Sequence, residues 1–422
     1  MRLVGLASVL TGALLLVPTL ALANDPDEAE TADVVTRPRP DFDARGIRLG
    51  AFYLYPSLTA GVGSSDNVFN THTGPVSATF FTVDPQLRLR SNWAQHAFNV
   101  GAEAKSYWYD AQSGENRTDW NVSADGRIDI ARGSDVSAEL HYRDYHEERG
   151  TDRVGGLAVG DPAEPTSLSD VGGSLALNHA FNRLLVSAGA SLDDFNYRNT
   201  PVRGGGPVID NRDRDRSVTG VFAKATYEVA PETGLFVRGA WNNHNFKTAL
   251  DDFGRNHDSH GLSGDAGVRF SMTHLFTGEI FAGYQTQNYV DAAFKSTTGF
   301  AFGADLKWFP TMLTTVSFEG SRTIEDTSIK DSSGYISTRG QVSLDHELLR
   351  NIILSGKVGY ETADYQDVAR RDNIVSAQVD GVYLLNNNFH FDAGWRYVDR
   401  NSDDTTFTYT TNNFFLALTG KM

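Results

Sequence analysis

Eleven histidines and no cysteine bound the chemistry open to this chain. Without Cys there is no thiolate nucleophile, no soft metal ligand and no disulfide framework. Histidine can serve as base or ligand, and His257-Asp258-Ser259-His260 is the densest grouping. It lies in a polar stretch, and no Gly-x-Ser-x-Gly, His-Glu-x-x-His or Ser-x-x-Lys pattern stands in a supporting context. Asp210-Asn211-Arg212-Asp213-Arg214-Asp215-Arg216 has carboxylates that a Ca²⁺ loop could use. Its alternating Arg residues neutralise them, so a self-paired solvated loop is expected instead. Gly204-Gly205-Gly206 before Pro207 lacks a strand-to-helix setting and reads as a flexible loop rather than a phosphate cradle. No catalytic residue, cofactor or metal site is expected.

A second set of charges is placed more regularly. Glu103 and Lys105, Asp305 and Lys307, and Asp392 and Arg396 each share one face of a two-residue alternation whose other face is apolar. The same parity is expected of Arg88, Arg90, Arg127, Arg269, Glu319 and Lys357. Burying such a set in a dry core would cost several kcal/mol per unpaired ion. These twelve residues are therefore expected to line an aqueous lumen, where both signs are solvated or cross-paired.

The elements that would hold them are strands. Phe98, Val100, Ala102, Ala104, Ser106 and Trp108 alternate with Asn99, Gly101, Glu103, Lys105, Tyr107 and Tyr109. Residues 300–308 and 389–397 repeat the pattern. Tight connections are expected at 92–96, 131–134, 179–184, 230–233, 273–275, 309–312, 348–351 and 385–388. Their spacing leaves room for two membrane-length strands and a longer polar loop, as at 147–165, 199–213, 247–259 and 325–333. Eight such turns join sixteen strands, and one strand at each end makes about 18. The expected fold is all-β: one transmembrane antiparallel up-and-down β-barrel. Aromatics beside the turns (Trp93, Trp308, Phe389) and toward the far ends (Trp108, Trp241, Tyr284, Tyr360) resemble two interfacial girdles.

Composition agrees. Forty glycines, 25 Phe and 16 Tyr accompany a mean hydropathy of −0.34, because only alternate barrel residues face lipid. A formal charge of −16 disfavours nucleic acid and anionic surfaces as partners. Residues 1–23 read as a signal peptide, with an apolar stretch from Leu3 to Leu22 and an Ala21-Leu22-Ala23 cleavage signal. Residues 24–46 read as a disordered periplasmic linker, acidic and Pro-containing. Arg37-Pro38-Arg39-Pro40 within it could alternatively be a stiff docking peptide. The barrel is expected over 47–422.

The barrel's opening carries a recognisable run: Gly46-Ile47-Arg48-Leu49-Gly50, Phe52 to Leu58 with its Tyr55-Pro56-Ser57-Leu58, and Gly61 to Phe69 ending Asp66-Asn67-Val68-Phe69. It resembles the Putative beta-barrel porin 2 family. The motifs cover about Arg37–Phe69, and the strand layout extends the likeness to Met422. The chain ends on Phe414, Leu416, Leu418 and Met422 in alternation, without the terminal aromatic common in such barrels. The resemblance implies a Gram-negative outer-membrane conduit passing exopolysaccharide or small hydrophilic solutes, with no catalytic residues to carry over. Implied partners are outer-membrane lipid, the barrel assembly machinery and periplasmic polysaccharide-export components. Both termini would be periplasmic. The alternative is a plugged structural or adhesive barrel contacting surface polysaccharide, and bilayer conductance would separate the two.

Overall fold

The computed structural model describes residues 33–150, 162–272 and 275–422; the expected signal peptide and residues 24–32 of the expected linker lie outside them. A three-residue strand, β1 (Ile47–Leu49), precedes β2 (Phe52–Ser65), β3 (Ala78–Ser91), β4 (Ala97–Tyr109), β5 (Arg117–Ala131) and β6 (Ser134–His146). There follow β7 (Ser167–Phe181), β8 (Leu184–Tyr197), β9 (Arg216–Ala230), β10 (Thr233–Phe246), β11 (Ser259–Met272) and β12 (Phe276–Tyr289). The ring continues with β13 (Thr297–Thr311), β14 (Thr314–Glu325), β15 (Tyr335–Leu349) and β16 (Ile352–Tyr365). It ends with β17 (Arg371–Leu384), β18 (Phe389–Ser402) and β19 (Tyr409–Lys421). Sequential neighbours from β2 to β19 pair antiparallel, and β19 closes on β2 between Asn413↔Ser65 and Lys421↔Ser57. The barrel thus has 18 strands, with β1 added to the edge of β2. Closure satisfies the backbone groups that lipid could not.

Short connections join β3–β4, β5–β6 and so on to β17–β18, at the eight expected places. The β11–β12 turn falls partly outside the described residues. In the β5–β6 turn Gly133 takes φ 75°, and the register shifts between Asp129 and Ala131, as a short right-twisted hairpin requires. The longer connections gather at the opposite end. Met422 donates its backbone N–H to Pro56 at 3.1 Å, which places the C-terminus at the short-turn end together with β1.

The two faces invert the soluble pattern. Outward Leu140 and Leu416 are more than 60% exposed, at 66% and 61%, whereas inward Asp372, Ser337 and His390 have no exposed surface. An apolar exterior around a polar interior is stable only in lipid. Outward Trp120 stacks on Tyr142 at 4.9 Å toward the loop end, and Trp93 packs edge-on against Phe52 at the short-turn end. The inward phenylalanines were not anticipated. Gly63 sits opposite Phe80 and Gly303 opposite Phe281; a Cβ there would meet the ring at 2.3 and 2.2 Å. These rings lie along the wall over glycine instead of spanning the bore.

Candidate functional site

The strands enclose a cavity of about 1600 Å³. Nine of the twelve expected lumen residues line it: Arg88, Arg90, Glu103, Lys105, Asp305, Glu319, Lys357, Asp392 and Arg396. The other three point inward by register but lie off the cavity. Arg127 pairs with Asp129 at 3.1 Å, Lys307 reaches Asp33 at 3.0 Å, and Arg269 sits opposite Glu279. Several wall charges neutralise each other, as in Lys224–Glu279 at 2.7 Å and Arg238–Asp265 at 3.1 Å. A few do not. Arg88 donates to Gln86 at 3.3 Å, Arg90 lies over Tyr55 and Lys105 over Tyr107, with no ion pair to any of them among the described residues. These three cations sit on β3 and β4, about half the ring away from Asp305 and Glu319 on β13 and β14.

The loop end is crossed by the chain. After β6, Glu147 pairs with Arg214 at 2.5 Å and Glu148 with Arg396 of β18 at 3.5 Å. Arg400 donates to the Gly150 carbonyl at 2.6 Å, and Asn70 to that of Arg149 at 2.7 Å. Arg149 itself is held by Glu115 and donates to Pro162 at 2.8 Å. Residues 147–150, the start of the long connection 147–165, therefore run from β6 across a third of the ring. The long connection 199–213 packs onto the far end of 147–165: Ala163 N–H donates to Pro201, and Val202 bridges Pro162. Asp326, just past β14, reaches His244 at 2.8 Å and Arg216 at 3.1 Å on the β9–β10 side. Burial would raise the Asp326 carboxyl, but the facing His244 and Arg216 overcome it and hold it below the usual range.

The short-turn end is crossed by a different segment. Of the expected linker, residues 33–46 lie against the inner wall. Val34 is buried with Ile353 and Leu384, Phe42 packs beside them, and Val34 N–H donates to Thr315 at 3.0 Å. Arg37 and Arg39 both bind Glu347, Arg39 at 2.9 Å. The stiff Arg-Pro-Arg-Pro run thus docks on this chain's own barrel. Asn387 donates to Pro40 and Asp43 at 2.9 and 3.0 Å. Burial would raise the Asp33 carboxyl, but Thr36 and Lys307 bring it below its ordinary value.

The remaining sequence candidates lie in local hydrogen-bond and ion-pair networks. His257 hydrogen-bonds Asp251 at 3.1 Å between Phe246 and Phe294, Asp258 accepts from Phe246 N–H, and Ser259 from Gln287. The basic–acidic run is only partly self-paired. Arg212 pairs with Asp210 at 2.7 Å, but Arg214 and Arg216 leave the run to hold Glu147 and Asp326. Burial raises the Asp213 and Asp215 carboxyls.

A closed ring of this size, apolar outside and charged within, defines a porin-like barrel of the outer membrane, a channel architecture. The chain belongs to the Putative beta-barrel porin 2 family, whose pattern matches residues 39–422. Among solved structures it is similar to a BenF-like porin from Pseudomonas fluorescens Pf-5, at 12% identity and TM-score 0.47 over 89% of this chain and 100% of that one. Pseudomonas aeruginosa OccK2 (OpdF), solved with glucuronate, is similar at 11% identity and TM-score 0.44 over 87% and 98%. No curated protein matches the chain.

Proposed function

We propose that the barrel conducts small, charged, hydrophilic solutes across the outer membrane, selected by the wall charges and by the two segments that cross its mouths. The observation carrying this reading is the charged cavity of about 1600 Å³ lying between those segments. Arg88, Arg90 and Lys105, without an ion pair among the described residues, stand beside Glu103 on one side of the cavity, with Asp305 and Glu319 about half a ring away, so a passing ion meets fixed charges of both signs. An extended exopolysaccharide would have to displace both crossing segments at once, so small solutes take precedence over the polymer that the family resemblance suggested. Both described chain ends lie at the short-turn end, which in this reading faces the periplasm, with the long loops outside.

Planar-bilayer recording tests the proposal. The purified barrel should conduct, and Arg88→Ala with Arg90→Ala should move the reversal potential toward cation selectivity, because the acidic set then dominates. A barrel that stays silent, also after removal of residues 33–45, would establish the plugged structural reading in its place. Protease shaving of intact cells should cut within 199–213; cleavage confined to the short turns would reverse the orientation.

A further inference from the structure

Three adjacent strands bring one imidazole and two carboxylates together on the inner wall. His141 of β6 stands opposite Gly172 of β7, and Gly172 opposite Asp193 of β8; Asp170 lies two residues along β7 on the same face. Glycine leaves the middle of this row empty. A Cβ at 172 would meet Asp193 Oδ1 at 2.1 Å and His141 Cε1 at 2.7 Å. The flanking side chains lean into that gap, with His141 Nε2 3.2 Å from Asp170 Oδ2 and 3.6 Å from Asp193 Oδ1. One donor atom from each of the three lies within 4.8 Å of the others.

Hydrogen bonding alone accounts poorly for this cluster. Nε2 carries at most one proton, and Asp193 at 3.6 Å is beyond a normal hydrogen bond from it. Asp170 is only 3% exposed, and its Oδ1 has no hydrogen-bond partner among the described residues. Arg143, at 3.8 Å from Oδ2, neutralises it only in part. A buried carboxylate oxygen without a partner is costly. Donors bound at about 2.0–2.1 Å in a tetrahedron stand roughly 3.3 Å apart, close to the two spacings from Nε2. Two carboxylates also balance the charge of a divalent ion, and mixed imidazole and carboxylate donors suit a borderline transition metal.

We propose that His141, Asp170 and Asp193 bind a divalent transition-metal cation on the lumen wall. His141 lines the cavity, so the fourth coordination position opens toward lumen water or a solute's donor atom. The site stands independently of conduction, since a plugged barrel would hold it equally.

Titrating the full-length barrel in detergent with Co²⁺ and Zn²⁺ tests it. Co²⁺ should saturate one site per chain with the visible absorption of a low-symmetry, tetrahedral-like centre, and Zn²⁺ should displace it. His141→Ala and the near-isosteric Asp170→Asn should each weaken binding by about tenfold or more, the scale seen when metal sites lose supporting groups. Gly172→Val, which fills the gap, should abolish binding, while His257→Ala, removing another His–Asp pair, should leave it intact. Heat-modifiability on gels identifies assembled barrel; should Gly172→Val fail to assemble, Asp170→Asn decides. No saturable Co²⁺ site, or a site equally strong in His141→Ala and Asp170→Asn, overturns the proposal.

Discussion

The barrel's two mouths are narrowed by opposite means. At the short-turn end the obstruction is a strand-free segment, residues 33–46, that lies outside the ladder of the barrel. It is held by an apolar plug, Val34 against Ile353 and Leu384, and by two arginines on one glutamate. At the loop end the obstruction belongs to the barrel itself. The connection from β6 to β7 is tethered on both sides by these strands, and residues 147–150 within it are held chiefly by charge. Behind them Arg370 and Arg400 clamp Asp372, which has no exposed surface, with Phe407 covering both guanidiniums. A segment outside the ladder can leave the bore without disturbing a ladder hydrogen bond. A doubly tethered loop can only rearrange.

Deletions should give the largest effect and divide the two mouths. Removing 33–45 should raise single-channel conductance several-fold and leave assembly on gels unchanged. Removing 150–164 should also raise it, but with conductance noise and partial loss of assembled barrel, since β6 and β7 lose their connection geometry. Equal behaviour of both deletions would erase the distinction. Next in size, Asp372→Ala should cost about 3–5 kcal/mol in denaturant unfolding, because two buried guanidiniums lose their counter-ion. Glu347→Gln, at the partly solvated strap, should cost no more than about 1 kcal/mol and be read as faster proteolysis of residues 33–46.

The smallest effect concerns pH. Asp33 and Asp326 tie opposite mouths, and both are held below the ordinary carboxyl value of 3.8. A depressed folded value means that the stabilisation is complete above the unfolded one and fades as pH falls through the folded one. The share of the narrowing that these two carboxylates carry should therefore be complete above about pH 4 and be lost only below it, read as a rise in conductance. Asp326→Asn should remove the loop-end share of that rise; a transition near neutrality would mean that other groups hold the mouths.

The strands and turns were legible because a period of two with one lipid face leaves its mark on every hairpin, as in Phe98 to Tyr109. The expected wall charges rested on the same parity. What parity cannot give is register between strands, so nothing in the sequence placed His141 beside Asp193. Inward Phe80 and Phe281 were equally hidden, since their shelter is a glycine on the neighbouring strand. The strap failed for another reason: residues 33–46 have no period, and their partners Thr315, Glu347, Ile353 and Leu384 lie some 300 positions away. Arg37 and Arg39 gave one usable sign. Two apart across a proline, they project to the same side of an extended chain, as a shared carboxylate requires.

The short strand β1 also bears on how the ring is sized. β19 pairs with β2 only as far as Ser57, while β1 occupies the same edge from Leu54 to Phe52. Tyr55 and Pro56 are all that separate them. If the last strand slid two residues toward the start of β2 during closure, it would run into β1. Ile47, Arg48 and Leu49 therefore stand in the way of a slip of the last strand toward the start of β2, a slip that would change the stagger of the closed ring and with it strand tilt and bore.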